Sequence, residues 1–324
     1  MSTSMENEAM ISFNPLEHRA IRALTRTRPG EKKLGQTLNT RPQAKFQILG
    51  IPESLGVRAN YGIAGTETAW PAFLQAFLNL QENRFLSGED IHIAGEFAFK
   101  FPETTAVEVL RKQVEEIDQA VSKKIEEIVL AGQIPIVIGG GHNNAYPILK
   151  GLSLALQQRV NTLNLDVHAD FRPLEGRHSG NGFSYAYREG YLHKYHVIGL
   201  KKTYAPEAML EDLGRAGAKA IFLDELGDQA SQTHAILSTL QEIKTGAFGV
   251  EIDLDGIENM LSSAVNPYGL PLPMAHRLVQ EAAPDLRYLH LCEGASTRSD
   301  GRTCPDLGKV LAELVATLVI YCKA

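Results

Sequence analysis

A chain of 324 residues is long enough for two domains of ordinary size, or for one large α/β sheet with its helices. With 44% hydrophobic and 22% charged residues it can bury a substantial core, which excludes a disordered or fibrous protein. Acidic residues outnumber basic ones, 38 to 32, for a net charge of −6, so neither nucleic acid nor a membrane surface is an expected partner.

Residues 1–44 read as a polar N-terminal extension with one short helix around residues 16–24. Arg19, Arg22, Arg26 and Arg28 among Ser and Thr give it some likeness to a transit peptide. Glu6, Glu8 and Glu17 run against that likeness, and the stretch has no apolar signal core, so a cytoplasmic protein is expected. Residues 46–50 (FQILG) predict a first strand, followed by a Gly-rich turn region to residue 65. Helical spacing returns at 68–80, with Pro71 in the tolerant first turn. A long helix follows at 106–131, where Val107, Leu110, Val114, Ile117, Val121, Ile125 and Ile128 share a stripe and Gly132 ends it.

Four mostly apolar runs, 134–138, 160–165, 195–200 and 247–252, have the pattern of strands buried in a parallel sheet. Residues 220–223 and 288–291 look the same. Helical patterns at 144–155, 207–216, 232–243 and 274–282 separate them, and 307–321 closes the chain as a helix. Strand alternating with helix predicts βαβ units with right-handed crossovers, and with no linker after Lys45 a single α/β domain spans 45–324. No apolar run, including 314–322, reaches the ~20 residues a bilayer requires. Cys292, Cys304 and Cys322 are too few for a disulfide framework and lack a C-x-x-C spacing.

In such a sheet ligands bind at the carboxyl ends of the strands, and three predicted strands end in polar clusters. The first reads Gly139-Gly140-Gly141-His142, a Gly run that suits tight turning or close backbone approach but lacks both P-loop and dinucleotide spacing. The second, Asp166-Val167-His168-Ala169-Asp170, spaces two carboxylates and an imidazole by two, so an extended backbone puts all three on one side. Buried together they would repel and desolvate at a cost that a divalent cation removes. Carboxylate with imidazole suits Mn²⁺, Fe²⁺, Co²⁺ or Zn²⁺. The bland alternative is a solvated turn with scattered charges. The third cluster, Asp253-Leu254-Asp255, again runs two aspartates off a strand. Two histidines and four aspartates at one sheet edge suffice for a binuclear metal site that acidifies water.

In this order the three motifs resemble the ureohydrolase superfamily of arginases, agmatinases and formimidoylglutamases, from about residue 46 to residue 321. The resemblance implies a three-layer α-β-α fold with a mostly parallel central sheet, and two Mn²⁺ ions. It implies that His142, Asp166, Asp170 and Asp253 hold one ion, and that His168, Asp166, Asp253 and Asp255 hold the other. Asp170 would then serve proton transfer as well, and Glu293, in Leu291-Cys292-Glu293-Gly294, would face the amidine or guanidine group. Family members are often trimers or hexamers, so a homo-oligomer stands open beside a monomer.

Two departures narrow the resemblance. Where arginases and agmatinases carry a proton-shuttling His in Ser-Gly-Asn-x-His-Gly, this chain has Phe183 in Ser179-Gly180-Asn181-Gly182-Phe183, as formimidoylglutamases do. Residues 56–62 (GVRANYG) are similar to the turn of the same subfamily, and Glu258-Asn259 replaces the arginase continuation after Asp255. The implied reaction is hydrolysis of N-formimino-L-glutamate to L-glutamate and formamide, a step of histidine degradation. A substrate with two carboxylates needs cationic and amide donors, and Arg58, Asn60, Arg172, Arg177 and Asn181 lie on the relevant loops. For Arg172 and Arg177 a solvated loop charge is an equal alternative. His178 is out of register for the shuttle and is expected to be structural, and Cys292 to be a buried, inert strand thiol. Two rival readings stand: a ureohydrolase acting on guanidinobutyrate, agmatine or arginine, and a non-catalytic metal-binding relative.

Overall fold

The computed structural model describes residues 10–41, 43–264 and 266–322. In chain order the first half comprises β1 (Ile11–Pro15), α1 (His18–Leu24), β2 (Phe46–Gly50), α2 (Leu55–Ala59), α3 (Ala69–Phe77), β3 (Ile91–Phe99), α4 (Val107–Leu130), β4 (Ile134–Ile138) and α5 (Ala145–Leu156). The second half comprises β5 (Val160–Leu165), α6 (Gly182–Arg188), β6 (Leu192–Leu200), α7 (Glu207–Arg215), β7 (Lys219–Phe222), α8 (Gln229–Ile243), β8 (Phe248–Asp253), α9 (Leu272–Ala282), β9 (Leu289–Cys292) and α10 (Leu307–Tyr321).

Among the described residues, nine strands form one sheet in the order β1-β3-β2-β4-β9-β8-β5-β6-β7. Every neighbouring pair is parallel except the edge pair β1–β3. Strands β2, β5, β8 and β9 are buried on both faces, which is why they read as continuous apolar runs. One core, built from α3, α8, α9 and α10, covers one face of the sheet; a second, built from α4, α5, α6 and α7, covers the other. This is the three-layer α-β-α architecture expected. The α4 stripe from Leu110 to Ile128 is buried as its spacing predicts.

Two strands escape the sequence pattern. β3 alternates buried and half-buried residues rather than running apolar, and Gly95 interrupts it at φ +136°, where the register against β2 shifts. A Cβ at Gly95 would meet the Asn14 carbonyl oxygen at 2.1 Å, so glycine lets β1 lie against β3. Within the stretch read as an extension, residues 11–15 thereby join the sheet edge as strand β1, and Ile21, Leu34 and Leu38 pack on the core; residues 1–9 and 42 lie outside the described residues. The expected short helix forms as α1. Among the described residues no helix is long and apolar enough to cross a membrane.

The four central strands, β4, β9, β8 and β5, all point their carboxyl ends to one edge, so the loops that follow them converge.

Candidate metal centre

His142 follows β4 through three glycines and opens a short 3₁₀ turn. Gly140 sits at φ +78°, and a Cβ there would lie 2.4 Å from Asn144 Nδ2 and 2.9 Å from the Ile51 carbonyl oxygen. Buried Glu53 clamps this turn: its Oε1 accepts from Gly141 N (3.0 Å), Asn144 Nδ2 (2.8 Å) and Asn143 Nδ2 (3.3 Å), and its Oε2 accepts from Gly56 N (3.0 Å). The chain after β5 bends at residues 167–168 instead of staying extended, so Asp166, His168 and Asp170 converge through the loop and not through strand alternation. Asp170 (φ +44°) and Glu293 (φ +61°) both adopt left-handed backbone, a conformation that side-chain-bearing residues hold at a cost.

Three carboxylates close on one nitrogen. His142 Nδ1 lies 2.8 Å from Asp170 Oδ2, 3.1 Å from Asp253 Oδ2 and 3.4 Å from Asp166 Oδ2, yet has hydrogen-bond geometry to none of them. Beside it, His168 Nδ1 lies 2.9 Å from Asp255 Oδ2 and 3.7 Å from Asp166 Oδ1. Asp166 thus offers one oxygen to each group, and the two ligand sets, His142-Asp166-Asp170-Asp253 and Asp166-His168-Asp255, share it. Asp253 joins the first set only; its other oxygen accepts from Asp255 N at 2.8 Å.

The electrostatics fit a cation pair. Burial and the neighbouring Asp255 charge push Asp166 up to about 7, and burial with Asp255 and Asp166 pushes Asp253 well above the carboxylate range. His168 rises to about 11: burial opposes its charge, and Asp255 more than offsets that. One ring nitrogen carries at most one proton and cannot serve three carboxylates, whereas a divalent cation can. Asp255 Oδ1 is also buried without a partner. Imidazole and carboxylate without thiolate is the donor set of Mn²⁺ and its first-row neighbours.

Above the two sets lies a cavity of about 450 Å³, whose wall includes Asn60, Tyr61, His168, Asp170, Arg172, Ser179, Gly180, Tyr204, Asp253, Asp255, Ser263 and Glu293. Glu293 is buried; its Oε1 accepts from His142 N at 2.6 Å and its Oε2 from the Ser263 hydroxyl. Burial pushes its carboxyl up to about 8, against the pull of those two donors. Tyr204 stacks on the His168 ring at 5.1 Å.

Of the five residues expected to bind substrate, Asn60 and Arg172 line the cavity. The other three do not. The Arg58 guanidinium donates to the Thr104 carbonyl oxygen. Arg177 is buried and saturated: it pairs with Asp118 (2.8 Å), donates to Asn181 Oδ1 (2.6 Å) and the Asn143 carbonyl oxygen (2.8 Å), and lies over the rings of Tyr146 and Tyr185. Asn181 is spent on Arg177, the His178 amide and the Gly176 carbonyl oxygen. Arg177 and Asn181 therefore hold the loops in place, and Arg58 turns its guanidinium to the Thr104 carbonyl oxygen and not to the cavity. Phe183 lies outside the cavity, edge-on to His142 (5.0 Å) and stacked on Tyr195 (4.4 Å). Burial pushes His178 down to about 4, and its Nδ1 accepts from Gly180 N.

The sequence reading passed over Glu53 and Ser263, which carry no local signal, and also Glu251 and His290. Those two were visible as polar interruptions of apolar strands, in Gly249-Val250-Glu251-Ile252-Asp253 and Leu289-His290-Leu291-Cys292.

With the geometry established, the relatives can be compared. The sequence profile of the Arginase family matches residues 44–302. A formimidoylglutamase from Geobacillus thermodenitrificans is 28% identical over 256 residues, 76% of each chain. The crystal structure of formimidoylglutamase from Bacillus subtilis superposes with a TM-score of 0.76 at 15% identity, covering 92% of this chain and 94% of that one. Trypanosoma cruzi formiminoglutamase with Mn²⁺ gives 0.74 at 20% identity, covering 90% and 99%. The profile match spans strands β2 to β9 and every ligand of the centre, and this chain belongs to the arginase family.

Proposed function

We propose that this chain is a cytoplasmic dinuclear manganese hydrolase that cleaves the formimino C–N bond of N-formimino-L-glutamate, giving L-glutamate and formamide. The observation that carries the proposal is the pair of ligand sets sharing Asp166 at the floor of a cavity whose wall holds Glu293 and Arg172. The formimidoylglutamases among its relatives support the substrate, and the Mn²⁺ in the Trypanosoma cruzi structure supports the metal. His142, Asp166, Asp170 and Asp253 would hold one ion, with His168 and Asp255 joining Asp166 around the other. Ions bound there would supply Lewis acidity, which lowers the pKa of water and stabilises negative charge that develops on attack.

The chain's own groups do the rest. Glu293, fixed by His142 N and Ser263, faces the cavity and takes the N–H groups of the amidine, orienting its carbon toward the floor. Arg172, half-exposed at the rim, attracts a substrate carboxylate, and Asn60 adds an amide donor. Asp170 keeps an edge on the cavity, where it accepts a proton from the attacking water and passes it to the departing glutamate nitrogen. Water adds to the formimino carbon, the bond from that carbon to the glutamate nitrogen breaks, and formamide is the second product.

The test is a side-by-side assay of Mn²⁺-loaded protein on formiminoglutamate, arginine, agmatine and guanidinobutyrate. Formamide from the first substrate alone is expected. Urea from a guanidine would replace the substrate assignment, and no turnover of any would return the protein to a non-catalytic metal binder.

A further inference from the structure

Behind His142, on the side away from the cavity, lies a second arrangement that the reaction above does not use. Glu251 on β8 and His290 on β9 are register partners on adjacent parallel strands, and both side chains are wholly buried. Glu251 Oε2 lies 2.5 Å from His290 Nδ1 and 3.6 Å from His142 Nε2. His290 Nε2 faces the carbonyl oxygen of Gly139, at the start of the turn that delivers His142. Two atoms at this junction are orphaned: His142 Nε2 and Glu251 Oε1 have no hydrogen-bond partner.

A carboxylate in a dry strand interior is costly unless paired, so its presence calls for a reason. A carboxylate accepts only, so the 2.5 Å contact is a bond donated by His290 Nδ1–H. That bond anchors Glu251 and leaves Oε1 and a lone pair of Oε2 for its other polar neighbours, of which the His142 ring offers a buried nitrogen without a hydrogen-bond partner, whereas the Tyr288 hydroxyl is paired with Thr162 Oγ1 at 3.1 Å. An imidazole whose Nε2 carries the proton presents Nδ1 as a bare lone pair, and Nδ1 is the atom that faces Asp166, Asp170 and Asp253. Cys292 Sγ shares the pocket, but its contact is with the Ile252 carbonyl oxygen, at 3.8 Å.

We infer that Glu251 and His290 are a positioning pair for the metal centre: Glu251 takes the Nε2–H of His142, His290 holds Glu251 in place, and together they fix the ring with Nδ1 toward the cation. The inference rests on the metal part of the proposed function and not on the substrate. Outer partners of this kind commonly change metal affinity about 10- to 100-fold when removed.

The experiment compares wild type with Glu251→Gln, which keeps the shape and loses the charge, using Mn²⁺ titration calorimetry and a metal count after desalting. Two ions per wild-type chain are expected. In Glu251→Gln one of them should bind about 10- to 100-fold more weakly, while the other keeps its affinity. The Zn²⁺-loaded proteins, labelled with ¹⁵N-histidine, give the second readout: an exchange-protected Nε2–H of His142, assigned by its loss in His142→Asn, present in wild type and exposed to exchange in Glu251→Gln. If Glu251→Gln does not fold, His290→Gln and His290→Leu take its place. The first keeps a donor toward Glu251 and should retain the affinity that the second loses. Unchanged affinities with an unchanged His142 signal overturn the inference while leaving the metal centre standing. Three ions in wild type, with the third lost in Glu251→Gln, overturn it in favour of a ligand role for Glu251. No bound ion in wild type removes the metal reading and this inference together.

Discussion

Acid should unfold this protein partly through His178. Its ring is fully buried at the head of the 3₁₀ turn Ser179–Asn181, which brings Ser179 and Gly180 to the cavity wall. Nδ1 accepts from Gly180 N at 3.1 Å and Nε2 stands 3.1 Å from Glu175 Oε1, a neutral ring with its proton on Nε2. A second proton on Nδ1 would point at the Gly180 N–H, and burial holds the pKa down to about 4 from the ordinary 6.5. Because the folded value is the lower one, the unfolded chain takes up the proton first as pH falls. Stability is therefore undiminished above 6.5, is lost between 6.5 and about 4, and loses no more from this group below that. At about 1.4 kcal/mol per pKa unit the full loss is about 3 kcal/mol, of which about 2 kcal/mol is gone by pH 5. His178→Asn keeps an acceptor for the Gly180 N–H and does not titrate. Urea unfolding of both proteins at pH 7.5 and pH 5 cancels the carboxylates they share. The variant should gain about 2 kcal/mol on wild type across that interval. Parallel losses in the two proteins would refute the argument that His178 is held neutral.

Asp166 serves both ligand sets, so Asp166→Asn should cost both ions, whereas Asp255→Asn should cost one ion and most activity. A metal count on the desalted variants separates the two, and full activity of Asp255→Asn with one ion would remove the dinuclear reading. The arginines should divide. Arg172→Gln should raise KM for formiminoglutamate about ten- to a hundredfold with little change in stability, as expected for a charged hydrogen bond of ~1.5–3 kcal/mol. Arg177→Met leaves Asp118 buried and unpaired and should cost about 3–5 kcal/mol of unfolding free energy. Phe183→Ala opens a cavity between His142 and Tyr195 and should cost about 3–5 kcal/mol in chemical denaturation; a loss under about 1 kcal/mol would mean that the ring is not packed as described.

What could be read from the sequence follows from how each feature is encoded. Parallel strands buried on both faces leave continuous apolar runs, so the central sheet was legible; β3, half-buried and broken by Gly95, was not. The ligands were legible because they fall in two short clusters, Asp166-His168-Asp170 and Asp253-Asp255, each at the end of an apolar strand. The substrate loop was not, because closeness in sequence says nothing of direction. Residues 172–181 fold back on themselves, so Arg172, Ser179 and Gly180 face the cavity while Arg177, between them in the chain, turns to Asp118 on α4. Glu251 and His290 stand out in the sequence as polar residues inside apolar strands, but their meaning depends on the register of β8 with β9, which no local pattern records.

The position of β9 sets the order in which this molecule can be completed. It occupies the middle of the sheet, between β4 and β8, yet it is the last strand in the chain. During synthesis β4 and β8 therefore wait with open backbone edges, separated by the width of one missing strand, until residues 289–292 leave the ribosome. Loop closure over so long a span is slow, and unpaired central edges invite association with other chains. The ligands from β4, β5 and β8 exist before that moment, but the strand that seats Glu293 and locks the two halves of the sheet together arrives after them. Closing the sheet and completing the edge that carries Glu293 thus depend on the same late strand.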